Sequence, residues 1–93
     1  MSAFLKIKKL IENPKHWCKH WTARDKYGKA TTVDSGYSFC LLGAAFKVLG
    51  YKESKVFWNI VIEHTGVNPM EFNDNSYHEE VIELLTELEG LYK

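Results

Sequence analysis

Residues 36–50, GYSFCLLGAAFKVLG, decide the predicted fold. At helical spacing, apolar side chains cover nearly the whole circumference of this stretch, and Lys47 is its only charged residue. A helix that is apolar nearly all round must be covered on most sides, so we predict that it lies at the centre of the domain. The small residues at 43–45 predict that a neighbouring helix or backbone approaches closely there. Gly50 suits the left-handed residue that ends a helix.

Other segments with amphipathic patterns predict further helices around the central one. The segment 67–72 is predicted to be a loop, or one helical turn begun by Pro69. The predicted helices span about residues 3–12, 36–49, 55–65 and 77–89. Their predicted N-caps are Ser2, Asp34 or Ser35, Ser54, and Ser76, the last in an S-x-x-E capping box with Glu79.

Ahead of the central helix, the sequence predicts a short β-hairpin near residues 20–33. Residues 25–28, DKYG, favour a turn because Asp stands first and Gly last. The segments on either side of this turn, 21–24 and 29–33, have strand character. A lone hairpin is marginal in water, so we expect it to lie against the helices through Trp17 and Trp21.

The composition is that of one ordinary globular domain. The 93 residues allow a single core, and 45% of them are hydrophobic and 26% charged. We therefore predict a mainly α fold: a compact four-helix domain over residues 1–93, built around the buried helix at 36–49, with the short β-hairpin near 20–33.

Composition also argues against several functional classes. Twelve basic and twelve acidic residues give zero net charge, which does not favour general nucleic-acid binding. No apolar run approaches the roughly 20 residues of a membrane span, and Lys6, Lys8 and Lys9 interrupt the apolar region that a signal peptide needs. The two cysteines do not form the framework of a small secreted domain. We expect a reduced protein in a cytoplasm, without membrane association.

Charged residues are segregated along the chain. Residues 1–29 contain eight basic and two acidic residues, a net charge of +6, whereas residues 71–93 contain one basic and seven acidic residues, a net charge of −6. The two segments either face each other or keep opposite sides of the domain in solvent. Alternatively, they form a dipolar surface that steers a charged partner.

Histidines and cysteines are the candidates for a metal centre or a nucleophile. A dependable zinc signature has a second pair of closely spaced ligands, which this sequence lacks, so we favour no metal and no cofactor. Cys40 is also a candidate nucleophile with a histidine base, but its apolar neighbours favour core packing. The candidate ligands are the alternating His16, Cys18 and His20, with Cys40, His64 or His78 to complete a tetrahedral set.

The candidate binding residues lie in two polar segments around residues 24 and 74. An ion pair between Arg24 and Asp74 would fix the hairpin on the helices. Local roles are an alternative, because Asn73 or Asp74 could satisfy backbone groups before the last helix. In a functional interpretation, Arg24 lies beside aromatic rings and binds an anionic ligand with a flat base, such as a nucleotide. The candidate ligand- or partner-binding residues are Trp17, Trp21, Arg24, Asp25, Tyr27, Asn73 and Asp74.

Trp58 lies at the outer edge of the predicted third helix. We interpret it as half-buried core. If it is exposed, it becomes a good interface anchor, because Trp is enriched among binding hot spots.

Several short motifs follow one another between residues 5 and 88: W-C at 17–18, A-R-D-x-x-G at 23–28, C-L-L-G-A at 40–44, F-N-D at 72–74 and E-E-V at 79–81. In this order of motifs the chain resembles a domain-of-unknown-function family of short bacterial, plasmid and phage proteins. The resemblance implies a compact, mostly helical fold and no established activity. The chain departs from the family in the variable third-helix region and at Tyr77-His78.

Three classes of function remain open. We favour a non-catalytic binding or inhibitor protein of a phage or mobile element, which acts on a host protein through an aromatic and charged surface, because no complete catalytic set is visible. The second class is a small-molecule binder, for a nucleotide-like ligand, using Arg24 and the neighbouring aromatic residues. The third is a small Cys/His metal or catalytic protein. The expected partner is therefore a host protein or a small anionic ligand.

Overall fold

Helices dominate the computed structural model, which describes residues 2–92 and confirms the predicted mainly α class with a short antiparallel sheet. Among these residues, none of the helices is both long enough and apolar enough to cross a membrane. Pro69 begins a short helix, which was one of the two alternatives for its segment. The elements are α1 (Ala3–Ile11), a first 3₁₀ turn (Pro14–His16), β1 (Ala23–Arg24), a second 3₁₀ turn (Val33–Ser35), β2 (Ser38–Phe39), α2 (Leu41–Thr65), α3 (Pro69–Asp74) and α4 (His78–Leu91).

One strand of the sheet lies where it was predicted, and the other does not: β1 falls within the predicted segment 21–24, whereas β2 lies in the segment predicted to begin the central helix. β1 pairs antiparallel with β2, so that Ala23 lies opposite Phe39 and Arg24 lies opposite Ser38. The predicted hairpin partner, residues 29–33, also pairs antiparallel with β1, through a bridge between Arg24 and Ala30. Two backbone hydrogen bonds flank this bridge, from Asp25 to the Lys29 carbonyl at 2.8 Å and from Thr31 to the Ala23 carbonyl at 3.1 Å. The predicted hairpin is therefore present but short, and β2 adds an unpredicted strand on the other edge of β1.

The central helix begins later than predicted, at Leu41. β2 holds the preceding residues in an extended conformation, so the helix starts only after the sheet ends. Cys40 is the N-cap, and its sulfur accepts a hydrogen bond of 3.3 Å from the backbone N–H of Gly43. The predicted caps Asp34 and Ser35 lie instead in the second 3₁₀ turn.

Gly50 divides α2 into two helical segments, 41–49 and 51–65. Its backbone is left-handed, with φ 81° and ψ 168°, as expected of the glycine predicted to end the helix. The helix resumes at once with Tyr51, so the predicted cap at Ser54 was wrong. Ser54 is buried inside the second segment, where its hydroxyl donates a hydrogen bond of 2.7 Å to the Gly50 carbonyl.

The start of α2 is packed directly against the backbone that precedes β1. A Cβ added to Gly43 would overlap the carbonyl oxygen of Thr22 and lie 2.7 Å from its carbonyl carbon. This close approach confirms the prediction made from the small residues at 43–45. The buried core around it includes Ile7, Ile11, Phe39, Leu41, Ala44, Ala45, Phe57, Val61, Val81, Leu85 and Leu88.

The N-terminal caps of α1 and α4 agree only partly with prediction. Ser2 caps α1, as predicted, and its hydroxyl accepts a backbone hydrogen bond of 3.2 Å. The capping interaction of α4 lies one residue beyond the predicted Ser76 and Glu79. The Glu80 carboxylate accepts a hydrogen bond of 2.7 Å from the backbone N–H of Tyr77, the N-cap residue.

The helices that carry the opposite charges lie side by side. α1, with its lysines, packs against α4, with its glutamates. Lys93, which is counted in the charge of the C-terminal segment, lies outside the described residues. Between residues 2 and 92, the only ion pairs within 4.0 Å involve histidine, so the lysines remain available to solvent or to a partner.

Candidate functional site

The side-chain amide of Asn73 is fully buried and joins three parts of the chain. Its oxygen accepts hydrogen bonds from the indole of Trp17 at 2.7 Å and from the Leu41 N–H at 3.0 Å. Its nitrogen donates to the carbonyl of Cys18 at 3.0 Å and to the carboxylate of Asp74 at 3.2 Å. Every donor and acceptor position of the amide is used. The Asn73 side chain therefore satisfies backbone groups at the start of α2 and before β1, and not those before the last helix, which was one of the predicted alternatives.

Asp74 holds the segment that follows Trp17. Its Oδ1 accepts a hydrogen bond of 2.9 Å from the backbone N–H of His20, and its Oδ2 lies 3.6 Å from the Nδ1 of His20. His20 has a left-handed backbone, with φ 71°, which is uncommon for a residue other than glycine. The contact with Asp74 stabilises this conformation.

Arg24 does not pair with Asp74, so the predicted ion pair was wrong. The guanidinium donates hydrogen bonds to two backbone carbonyls, of Gly28 at 2.8 Å and of Lys19 at 3.1 Å. Arg24 thus connects the segment before β1 to the turn after it, while Asp74 is occupied by His20. These contacts give Arg24 a structural role.

The other predicted residues lie on either side of β1, Trp21 before it and Asp25 and Tyr27 in the turn after it. Asp25 begins this turn, as predicted, and its Oδ1 accepts hydrogen bonds from the N–H groups of Tyr27 at 2.8 Å and Lys29 at 3.1 Å. The side chains of Trp21 and Tyr27 are 55% and 76% exposed. The structure therefore brings Trp17, Asn73 and Asp74 together and leaves Trp21 and Tyr27 in solvent.

The histidines proposed as metal ligands are engaged in separate contacts. The Nδ1–H of His16 donates to the Tyr37 carbonyl at 2.7 Å, and the Nε2–H of His78 donates to the Ile11 carbonyl at 2.7 Å. Across residues 2–92, no group of three or more His, Cys, Asp and Glu side chains is arranged to hold a metal ion. The alternating pattern at 16–20 therefore supplies loop contacts in the structure.

The two thiols have the character of packed side chains. Burial raises the pKa of the Cys40 thiol to about 11, and it raises the pKa of the half-buried Cys18 thiol as well. A thiol with such a pKa is protonated near neutral pH, and the protonated form is a poor nucleophile. This supports the core-packing interpretation of Cys40.

One concavity lies at the break in α2, away from the predicted residues. We call it the α2 groove; its volume is 460 Å³. Leu42, which is 5% exposed, belongs to its floor, and the rings of Phe46 and Tyr51 stand 4.5 Å apart between centroids. Trp58 is half-buried and also lines the groove, which fits the interpretation of its position. The lining residues are Leu42, Phe46, Tyr51, Ser54, Lys55, Trp58 and Asn59.

The α2 groove was missed because it depends on the geometry at Gly50. Phe46 belongs to the first segment of α2, whereas Tyr51 and Trp58 belong to the second. A glycine between two helical stretches, with aromatic residues on both sides of it, is the sequence signal that could have indicated the groove. The angle across Gly50, which brings the rings together, cannot be read from composition or periodicity.

A second concavity, of 350 Å³, has the opposite chemistry. We call it the α4 groove, and three glutamates of α4 line it together with the end of α2. His64 donates a hydrogen bond of 2.9 Å from its Nε2 to the Glu87 carboxylate there. The lining residues are His64, Thr65, Phe72, Glu80, Glu83, Leu84 and Glu87.

Of these features, the α2 groove combines the greatest volume with an apolar, aromatic lining, which is the character of a recognition surface. Comparison of the chain with protein-family models, with curated proteins and with solved structures found no match.

Proposed function

We propose that this chain is a non-catalytic binding protein that acts on another protein through the α2 groove. The observation that carries the proposal is the α2 groove itself, whose apolar lining includes Phe46, Tyr51 and Trp58. Tyr and Trp are enriched among the residues that contribute most to protein–protein affinity. Tyr51 is 70% exposed, so a partner would bury a large part of its ring.

The base of the groove is also packed and hydrogen-bonded within the chain itself, and such preorganisation favours binding by lowering the entropy lost on association. Ser54 is 2% exposed, and its hydroxyl donates a hydrogen bond to the Gly50 carbonyl, which stabilises the backbone at the break in α2. Leu42 of the first segment and Phe57 of the second are buried as well. A partner therefore meets a surface that is already formed.

The resemblance to short bacterial, plasmid and phage proteins adds a source and a kind of partner to the proposal. On that basis, the protein belongs to a phage or mobile element, works in the cytoplasm, and inhibits or sequesters a host protein. The alternative nucleotide site at Arg24 has less support, because the guanidinium already donates to the carbonyls of Gly28 and Lys19.

A matched pair of tyrosines tests the proposal. Tyr51 and Tyr77 are 70% and 75% exposed, and only Tyr51 lines the α2 groove. Affinity-tagged wild type, Tyr51→Ala and Tyr77→Ala would each be incubated with bacterial lysate, and the captured proteins compared by mass spectrometry. We expect a protein that wild type and Tyr77→Ala retain and Tyr51→Ala loses. Identical captured sets from all three proteins would contradict the proposal.

A further inference from the structure

The α2 groove has a defined charge as well as an apolar lining. Lys55 is the only charged residue among those that line it, and no acidic residue lines it. The ammonium of Lys55 forms no ion pair with any carboxylate in the part of the chain that the structure describes. The groove therefore presents one available positive charge next to aromatic rings.

The α4 groove provides an internal comparison. It is lined by Glu80, Glu83 and Glu87 and by no lysine or arginine. Two concavities of similar size on one small domain thus carry opposite charge, and only the α2 groove would attract a carboxylate.

We propose that the occupant of the α2 groove is a protein segment in which a large apolar or aromatic side chain stands beside an aspartate or glutamate. The apolar side chain would pack against the rings of Phe46, Tyr51 and Trp58, and the carboxylate would pair with Lys55. This inference rests on the proposed function and adds the chemistry of the partner to it.

The groove favours such a segment over a free small anion. A single exposed lysine holds an isolated anion weakly, and the hydroxyl of Ser54 is already donated to the Gly50 carbonyl. Most of the affinity must therefore come from apolar contact with the three rings. A polypeptide segment supplies both the apolar side chain and the carboxylate, and its remaining residues extend along the α2 groove.

The experiment is a selection of random displayed peptides on the immobilised protein, followed by affinity measurements with two charge-reversal variants. Lys55→Glu reverses the charge of the groove, and Lys47→Glu makes the same change at an exposed position of α2 outside it. We expect the selected peptides to carry Asp or Glu next to an aromatic or large aliphatic residue. Their affinity should fall about tenfold or more with Lys55→Glu and stay within about twofold with Lys47→Glu.

Several results would overturn the inference. The first is that no peptide is selected, or that the selected peptides lack acidic residues. The second is an equal loss of peptide affinity in both lysine variants. The third is a concentration-dependent dimer that Tyr51→Ala abolishes, which would assign the groove to a second copy of the chain. Failure of this inference can be distinguished from failure of the proposed function. If Tyr51→Ala no longer captures the partner from the lysate and Lys55→Glu still does, the proposed function stands and the acidic partner chemistry is wrong.

Discussion

The indole N–H of Trp17 donates a hydrogen bond of 2.7 Å to the side-chain oxygen of Asn73, 56 positions along the chain. The same oxygen accepts the first backbone N–H of α2, from Leu41. One buried amide thus connects the loop before β1, the start of the central helix and α3. The groove at Gly50 lies in the helix that this connection positions.

Replacing Asn73 by Ala should destabilise the fold by about 2–4 kcal/mol. The substitution leaves the Trp17 indole, the Leu41 N–H and the Cys18 carbonyl without their partner in a buried site. Asn75→Ala is the control, because the exposed Asn75 amide donates only to the Glu71 carbonyl, and it should cost less than about 1 kcal/mol. Urea unfolding measures both, and equal costs would show that Asn73 does not connect these elements.

Gly43→Ala should cost about 3 kcal/mol, because the new Cβ overlaps the Thr22 carbonyl and the backbone has to move apart. Gly90→Ala is the matched control inside α4, since nothing lies within 4 Å of a Cβ added there. It should be neutral or stabilise by about 0.5–1 kcal/mol, as alanine favours helix. The change in the urea midpoint distinguishes the two variants. A stable Gly43→Ala protein would contradict the close packing of α2 on the loop.

The Cys40 thiol predicts a pH dependence at alkaline pH. Burial raises its pKa from the usual 9.0 to about 11, so the unfolded chain loses the proton more easily than the folded one. The contribution of the protonated, buried thiol to the free energy of unfolding is fully present below pH 9. It is lost as the pH rises through 11, and it amounts to on the order of 2 kcal/mol in total. Unfolding of wild type and of Cys40→Ser, which keeps a capping oxygen, should therefore be compared at pH 7 and pH 10.5. Wild type should lose more stability than the serine variant; a constant difference between them would contradict the burial of the thiol.

Arg24 and Asp74 should both stabilise the peptide group between Lys19 and His20 without pairing with each other. Arg24→Ala removes hydrogen bonds to two carbonyls and Asp74→Ala removes the contact with His20, so each variant should lose about 1 kcal/mol. In a double-mutant cycle their coupling energy should be about 0.5–1 kcal/mol, because Arg24 binds the carbonyl and Asp74 the N–H of that one peptide group. A coupling of about 2 kcal/mol or more would restore the ion pair that the sequence suggested.

The features that were predicted correctly depend on neighbouring residues. Ser2 caps α1, Asp25 begins its turn, and Gly50 adopts a left-handed backbone. Each of these follows from the chemistry of one residue and of those within four positions of it. The close approach at Gly43 was also accessible, because small residues inside an apolar helix indicate contact with another backbone.

The features that were missed depend on contacts between distant residues. Ser38 and Phe39 fit a helical pattern, yet they form β2 because β1 pairs with them, and tertiary pairing of this kind overrides local propensity. The partners of the Asn73 side chain include residues 32, 55 and 56 positions away, so its role cannot be read from its neighbours. The α2 groove requires the angle across Gly50, which local patterns do not define.

The most direct measurement uses the partner protein captured from the lysate. Its affinity is measured for wild type, for Tyr51→Ala and for Tyr77→Ala. These substitutions remove the same side chain at nearly equal exposure, inside and outside the α2 groove. We predict that Tyr51→Ala weakens binding by about 30-fold, as expected of a hot-spot residue, and that Tyr77→Ala changes it by less than about twofold. Equal affinities would show that the partner binds elsewhere and that the groove is not the functional surface.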